Sequence, residues 1–211
     1  MKLTLASYEA VKYSCLHFHY AKAIPMALCS FNVYNAAGEW CGCIVYSPGA
    51  NQNQGKKFGL KQGQVCELVR MALNGKQEST SKALALSIKL LKKHNPLLRL
   101  IVSYADCDQE HIGTIYQATN WIYEGLMEQN GGTPKFRIHG KVTHGRTIAK
   151  RGWKQNIEWI RLYKDPNAEL VYTKGKRKYL YPLSVEIKTI CKSLAQQYPK
   201  QQAAIAQLVE C

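Results

Sequence analysis

Residues 98–125 read LRLIVSYADCDQEHIGTIYQATNWIYEG, and the order of elements in this stretch decides the fold. Leu98 to Tyr104 is a short apolar run that reads as a buried strand, ending at Ala105-Asp106. A helix is expected from near Gln109 to about Asn120, and a strand from Trp121 to Gly125. The preceding segment repeats the pattern. Gln64 to Leu73 (QVCELVRMAL) reads as a strand, and the turn Asn74 to Ser81 ends in helix-capping hydroxyls. The helix Lys82 to His94 carries Leu84, Ile88 and Leu91 on one face and stops before Pro96. Strand, helix, strand, helix, strand is the order of an α/β sheet with crossover connections.

Outward from this centre, CSFNVYN and WCGCIVYS read as two strands joined at Ala36-Ala37-Gly38-Glu39, a hairpin pattern. Tyr8 to Tyr20 forms a short helix and the turn after it, ending in His17-Phe18-His19-Tyr20. Pro48 to Gly63 is polar and Gly-rich, hence a surface loop. Beyond Gly132, PKFRIHGKV reads as a strand and TIAKRGWKQNIEWIRLY as a helix. LVYTKGKRKYLYPL reads as a hairpin turning at Lys174-Gly175-Lys176, a helix starts at Ser184, and the last dozen residues are expected to fray. There is no internal repeat. The expected organisation is one domain, with a core over 1–132 and a basic, aromatic-rich extension over 133–211 packed on it.

The net charge of +15 is unevenly spread. Thr133 to Lys200 holds 16 Lys or Arg against four Asp or Glu, with Trp and Tyr interleaved. Cations draw phosphate backbones through counterion release and aromatics stack on unpaired bases, so this pattern points to nucleic acid. The cations that would meet it are Lys56, Lys57, Lys150, Arg151, Lys174, Lys176, Arg177 and Lys178. No apolar run approaches the roughly 20 residues of a membrane span, and the start MKLTLASYEAVKYS lacks the apolar core of a signal peptide. The reading is a soluble chain that is not secreted. The eight cysteines show no CxxC spacing, and reduced buried thiols are expected, with Cys41 and Cys43 on one face of a strand.

Several residues have the chemistry of a site. Ser79-Thr80-Ser81-Lys82 puts hydroxyls and a cation at a helix start, where unpaired N–H groups suit a phosphate. The same residues are equally an ordinary N-cap. Asp106 ends a central strand, where open α/β sheets place ligands. Tyr116 lies in the next helix and can hand on a proton. His19-Tyr20 offers a base and a stacking ring, and Arg70 is a cation inside an apolar strand.

In this order, Glu67-Leu68-Val69-Arg70, Ser79 to Leu84, Ser103-Tyr104-Ala105-Asp106 and Gly113 to Ala118, with His19-Tyr20 before them, resemble the Mom family of phage and prophage DNA-modification proteins. The resemblance spans about Tyr8 to Pro182. It implies a fold similar to the GNAT acetyltransferases: a mixed, mostly antiparallel sheet flanked by helices, here with a basic C-terminal extension. It also implies conversion of adenine in DNA to its N6-carbamoylmethyl derivative, shielding the DNA from restriction, in the cytoplasm of a bacterial host.

By that resemblance Asp106, Tyr116, His19 and Tyr20 are catalytic. Arg70, Ser79, Thr80, Ser81 and Lys82 bind the donor, and Tyr20 and Trp121 stack on the target base. The acetyltransferase donor loop usually carries glycines that Gln77 to Lys82 lacks. The donor is therefore either acetyl-CoA or a glycyl or aminoacyl carrier such as aminoacyl-tRNA. His19 and Asp106 are the first choices for an Fe(II) site. Partners are DNA and, as donor carrier, tRNA; an oligomer is compatible with the sequence, and no membrane is expected. Two rival classes are an acetyl-CoA-dependent N-acetyltransferase of protein or small-molecule amines, and a non-catalytic basic DNA-binding protein.

Overall fold

The computed structural model describes residues 1–49, 53–127 and 134–200. In chain order its regular elements begin with β1 (Lys2–Leu5), α1 (Tyr8–His17), β2 (Cys29–Tyr34), β3 (Trp40–Ser47) and β4 (Val65–Leu73). Next come α2 (Thr80–His94), β5 (Leu100–Asp106), α3 (Thr114–Gln117), β6 (Ile122–Met127), β7 (Lys135–Ile138) and β8 (Lys141–His144). The series closes with α4 (Gly145–Lys150), α5 (Ile157–Tyr163), β9 (Glu169–Val171), β10 (Lys176–Pro182) and α6 (Val185–Ser193). A seven-stranded sheet runs β1-β2-β3-β4-β5-β10-β6, and a three-stranded sheet runs β8-β7-β9. β1 to β4 pair antiparallel and β4 pairs parallel with β5. This is the expected mixed, mostly antiparallel sheet with flanking helices.

The chain divides into two compact units. The first comprises Met1–Ala105, Ile112–Gly125 and the chain from Lys178 onward; the second comprises Asp106–His111 and Leu126–Arg177. In the first, α2 places Ala83, Leu84, Ile88 and Leu91 in a cluster with Phe31, Ile44, Tyr46, Ile101, Trp121 and Tyr179. α1 packs Val11 and Cys15 with Cys43, Val45 and Ala72 in a separate cluster. Ser7 caps α1 and Ser79 caps α2, each through its side-chain oxygen.

Two bulges control which side chains share a face. β2 pairs Val33 with Gly42 and Tyr34 with Trp40, leaving Cys41 as the extra residue of β3. A bulge breaks the period-2 alternation. Cys41 therefore joins the α2 cluster while Cys43 joins that of α1, which corrects the expectation that they share a face. Likewise β3 pairs Val45 with Arg70 and Tyr46 with Leu68, leaving Val69 as the extra residue of β4. All seven described cysteines are free thiols.

The secondary structure departs from the sequence reading at four places. The helix expected over Gln109 to Asn120 shrinks to a 3-10 turn at Cys107–Gln109 and the four residues of α3. Glu110 and Gly113 lie between them at φ 57° and 79°, a left-handed conformation that no α-helix propagates through. PKFRIHGKV is a hairpin, turning at His139-Gly140, both at positive φ, with Ile138 opposite Lys141. The helix expected over TIAKRGWKQNIEWIRLY breaks at Gly152 (φ 74°) into α4 and α5, and Asn156 caps the second piece.

The fourth departure matters most. LVYTKGKRKYLYPL is not a hairpin: β9 pairs with β7, while β10 enters the main sheet between β5 and β6. Tyr179 and Leu180 are both fully buried, in different core clusters, so β10 needs cover on both faces. A segment read as extension thus supplies an interior strand of the core. The 132/133 boundary, part of the Pro48 to Gly63 loop and residues 201–211 lie outside the described residues. No described helix is long and apolar enough to cross a membrane.

Gly113 permits the closeness of α3 to β10. A Cβ there would come within 2.4 Å of the ring of Tyr179, which is fully buried and has no room to retreat. Gly113→Ala should cost about 1–3 kcal/mol through overpacking, with further strain from its positive φ. Thermal unfolding followed by circular dichroism should show Tm lower by roughly 2–12 °C for a chain of this size.

In the second unit, His144 Nδ1 accepts the Arg146 N–H at 3.1 Å and so caps α4. Burial chiefly, then Arg146, Lys135 and Lys176, lower its pKa. A histidine with a lowered folded pKa contributes stability above its unfolded value, about 6.5, and loses it as pH falls through the folded one. The urea midpoint should be lower at pH 5 than at pH 7, and His144→Ser, which caps without titrating, should shrink that difference.

Candidate active site

β4 and β5 pair in parallel from Val65 opposite Leu100 to Leu68 opposite Ser103. Both strands then continue, to Leu73 and Asp106, without pairing to each other. The Val69 bulge falls one residue after the last pair and turns β4 away. Backbone polar groups are thereby released from the ladder at a defined point inside the sheet.

A side chain occupies that point. Ser103 Oγ lies 2.8 Å from the Leu68 carbonyl oxygen and 2.8 Å from the Tyr116 hydroxyl. A serine has one proton and a carbonyl only accepts, so Ser103 donates to Leu68 and Tyr116 donates to Ser103. Ser103 is fully buried and Tyr116 nearly so. Burial raises the Tyr116 pKa to about 12, opposed by the Ser103 bond and assisted by Tyr20, Tyr179 and Glu67. Tyr116 is therefore a protonated phenol throughout the neutral range. Tyr20, half exposed and stacked on His19 with ring centres 4.4 Å apart, is close enough for its hydroxyl to act electrostatically on Tyr116. The fold thus couples Tyr20 to Tyr116 electrostatically across a long stretch of chain.

The other expected site residues have hydrogen-bond partners of their own. Arg70 Nη1 donates to the carbonyl of the bulged Val69 at 2.7 Å, and its charge acts on Cys15 of α1. Its Nε is buried with no hydrogen-bond partner among the described residues. The Ser79–Lys82 hydroxyls serve the helix start: Ser79 Oγ accepts the Lys82 N–H at 3.2 Å and meets Ser81 Oγ at 3.0 Å, and Thr80 Oγ1 accepts from Gln77 at 2.9 Å. Asp106 Oδ1 accepts the Asp108 N–H at 3.1 Å, capping the 3-10 turn, and belongs to the second unit. His19 Nδ1 accepts the Ala21 N–H.

Trp121 is fully buried, its ring centre 5.1 Å from that of Tyr116 and 5.3 Å from that of Tyr181. It is a core ring and has no face for a base, which corrects its reading as a stacking surface. Among the described residues no three His, Cys, Asp or Glu side chains gather as a metal would require, at His19 and Asp106 or elsewhere. The donor set does not fit an iron centre.

Three of the cations read as phosphate contacts have internal partners. Lys178 is buried, with Nζ 3.0 Å from Glu124 Oε2, and Lys57 pairs with the other oxygen of Glu124. Arg177 donates to Cys107 Sγ and to the His111 carbonyl, each at 3.1 Å. Lys174 donates its backbone N–H to Asp108, leaving its ammonium exposed with those of Lys56, Lys150 and Lys176 and the Arg151 guanidinium. The sequence reading missed Ser103 as a site residue, although a serine inside the expected buried strand Leu98 to Tyr104 was a visible signal: a buried hydroxyl must find partners.

Comparison with known proteins places a match to the model described as the Mom protein family over residues 2–200. No curated protein matches the chain by sequence. Among solved structures, one assigned as a phosphinothricin N-acetyltransferase is similar at 9% identity and a TM-score of 0.48, covering 87% of this chain and 98% of its own. A mutant of the spermidine N-acetyltransferase SpeG from Vibrio cholerae is similar at 9% identity and a TM-score of 0.46, covering 92% and 99%.

Glu124 holds two ammonium groups, one of them buried, so neutralising it strands Lys178. Glu124→Gln should lower stability by about 3–5 kcal/mol in urea unfolding, the usual cost of a buried charge left alone. Adding Lys178→Met to it should recover most of that loss.

Proposed function

We propose, from the premise that this chain belongs to the Mom protein family, that it is a transferase placing a carbamoylmethyl group on N6 of adenine in DNA. Family membership supports the transferase class, and the resemblance of the site segments supports the adenine reading. The modified base would protect phage or prophage DNA from restriction. The observation that carries the proposal is the Tyr116 hydroxyl, held protonated where β4 and β5 part.

Adenine N6 lies on the pairing edge, and its lone pair is delocalised into the ring, so the base must leave the stack before it reacts. Tyr20, half exposed and already stacked on His19, is the ring to receive it. The resemblance of the site segments supports Asp106 as the group that hydrogen-bonds the amino group or takes its proton. Tyr116 turns its one proton from Ser103 to charge developing on the donor. When that proton is drawn away, Ser103 turns its own proton from the Leu68 carbonyl to the phenolate, a bond to the ionised form that opposes the effect of burial on the Tyr116 pKa.

Arg70 and the α2 start hold the donor. We assign that donor to a glycyl carrier such as aminoacyl-tRNA, because the product needs two carbons and a nitrogen and acetyl-CoA brings no nitrogen. N6 attacks the glycyl carbonyl and the carrier leaves as its hydroxyl with the proton; the glycyl amine then attacks C6, and the displaced N6 becomes the carbamoyl nitrogen.

Mass spectrometry of nucleosides from cells expressing the protein tests this. The expected product is an adenine derivative in which one carbamoylmethyl group replaces a hydrogen. Tyr116→Phe and Asp106→Asn should each cut its yield by roughly 10²-fold or more, the scale of a lost acid or base. Full yield from both variants, or no derivative from the unaltered protein, overturns the proposal. An acetylated amine in its place identifies an N-acetyltransferase.

A further inference from the structure

The second unit contains a cleft that the reaction above does not use. It measures about 490 Å³, within the range of ligand sites. Ile138 and Val142 of the β7–β8 hairpin line its apolar part, Lys141 and Arg151 bring charge to it, and Trp153 adds an indole. The apolar base of the unit lies beneath: Phe136, Ile148 and Ile160 form its core, with Trp153 packed against them.

A row of alternating rings and cations runs on from Trp153. The Arg151 guanidinium stands 5.5 Å from its ring centre, and Lys164 Nζ stands 4.8 Å from it on one side and 5.6 Å from that of Trp159 on the other. Trp159 is followed by Tyr163, with ring centres 5.1 Å apart and Tyr163 60% exposed. Among the described residues, Lys141, Arg151 and Lys164 have no carboxylate in ion-pair range, whereas Asp165 is occupied by the backbone N–H and ring of His139. Cations without acidic partners beside one exposed ring, Tyr163, and two half-buried ones, Trp153 and Trp159, suit a ligand that is itself an alternation of anions and flat rings.

We propose that this cleft and row dock an unpaired nucleic-acid segment, with bases against Trp153 and Tyr163 and phosphates along Lys141, Arg151 and Lys164. The surface has its residues in the second unit, whereas Ser103 and Tyr116 belong to the first. It rests on the preceding reading only in expecting the segment to be DNA.

The test is fluorescence anisotropy of a labelled, mixed-sequence single-stranded DNA, and of its RNA counterpart, with the full chain across a series of salt concentrations. Lys141→Gln with Arg151→Gln removes two surface cations and should reduce the slope of log affinity against log salt by roughly 1.4, about 0.7 for each phosphate contact on a single strand. Tyr163→Ala, at an exposed position that does not support the core, should weaken binding by roughly 5- to 150-fold, the range for one lost base stack. Trp153→Phe keeps an apolar ring in the core and should weaken binding less than Tyr163→Ala.

These losses with either strand uphold the docking surface, and the tighter strand identifies its source as DNA or RNA. Unchanged slope and affinity in both the double variant and Tyr163→Ala, in proteins whose melting is normal, overturn it. Adenine modification is read separately. Cleft-dependent binding with no modified adenine would defeat the proposed reaction and leave this surface standing.

Discussion

Ser103 stands where β4 and β5 stop pairing, and its single proton lies between a carbonyl and a phenol. Parallel strands in a buried sheet normally satisfy each other's backbone groups along their length. Here the ladder ends inside the sheet, after Leu68 and Ser103, and the Val69 bulge sends β4 elsewhere. The Leu68 carbonyl is then served by a side chain. That substitution ties Tyr116 to the sheet's opening and fixes where a protonated phenol stands. Gly113, with no Cβ to collide with Tyr179, lets α3 come close enough for the contact.

Around that contact the aromatic side chains do structural work that their composition alone does not disclose. Tyr116 packs between Trp121 and Tyr179, with ring centres 5.1 and 4.9 Å away, and Tyr123 meets Tyr179 at 5.2 Å. Edge-on and tilted rings of this kind bury large areas while keeping fixed angles. The rings of the second unit differ in exposure and in company: Trp159 and Tyr163 lie with Lys164, near the surface. An interleaving of rings and cations along the chain thus resolves into two populations, one that builds a core and one that faces solvent.

Charge divides in the same way. Lys178 and Arg177 are neighbours in one basic run, yet Lys178 is buried on Glu124 and Arg177 is bound to Cys107 and the His111 carbonyl, while Lys176 stays exposed. Alternation along β10 separates Arg177 from Lys178, since successive side chains leave a strand on opposite faces. Lys176 shares the face of Lys178 and is exposed because it begins the strand. The core-forming Tyr179 and Leu180 follow the same rule. A count of basic residues is therefore an upper limit on the cations available to a partner.

Local order was legible in the sequence because it is encoded locally. The strands β2 to β5, the helix α2 with its Ser79 cap and the short strand β6 follow from period, capping residues and punctuation by Gly and Pro. The site residues Tyr116 and Tyr20 were legible as chemistry in a particular order. What tertiary structure alone decided is which of these residues meet. Whether β10 pairs beside β9 or enters between β5 and β6 depends on which faces need cover, a property of the assembled sheet. Whether Trp121 stacks on a ligand or fills a core depends on neighbours remote in sequence, as does the meeting of Ser103, Leu68 and Tyr116. Periodicity reports the face a residue shows; only packing reports what that face touches.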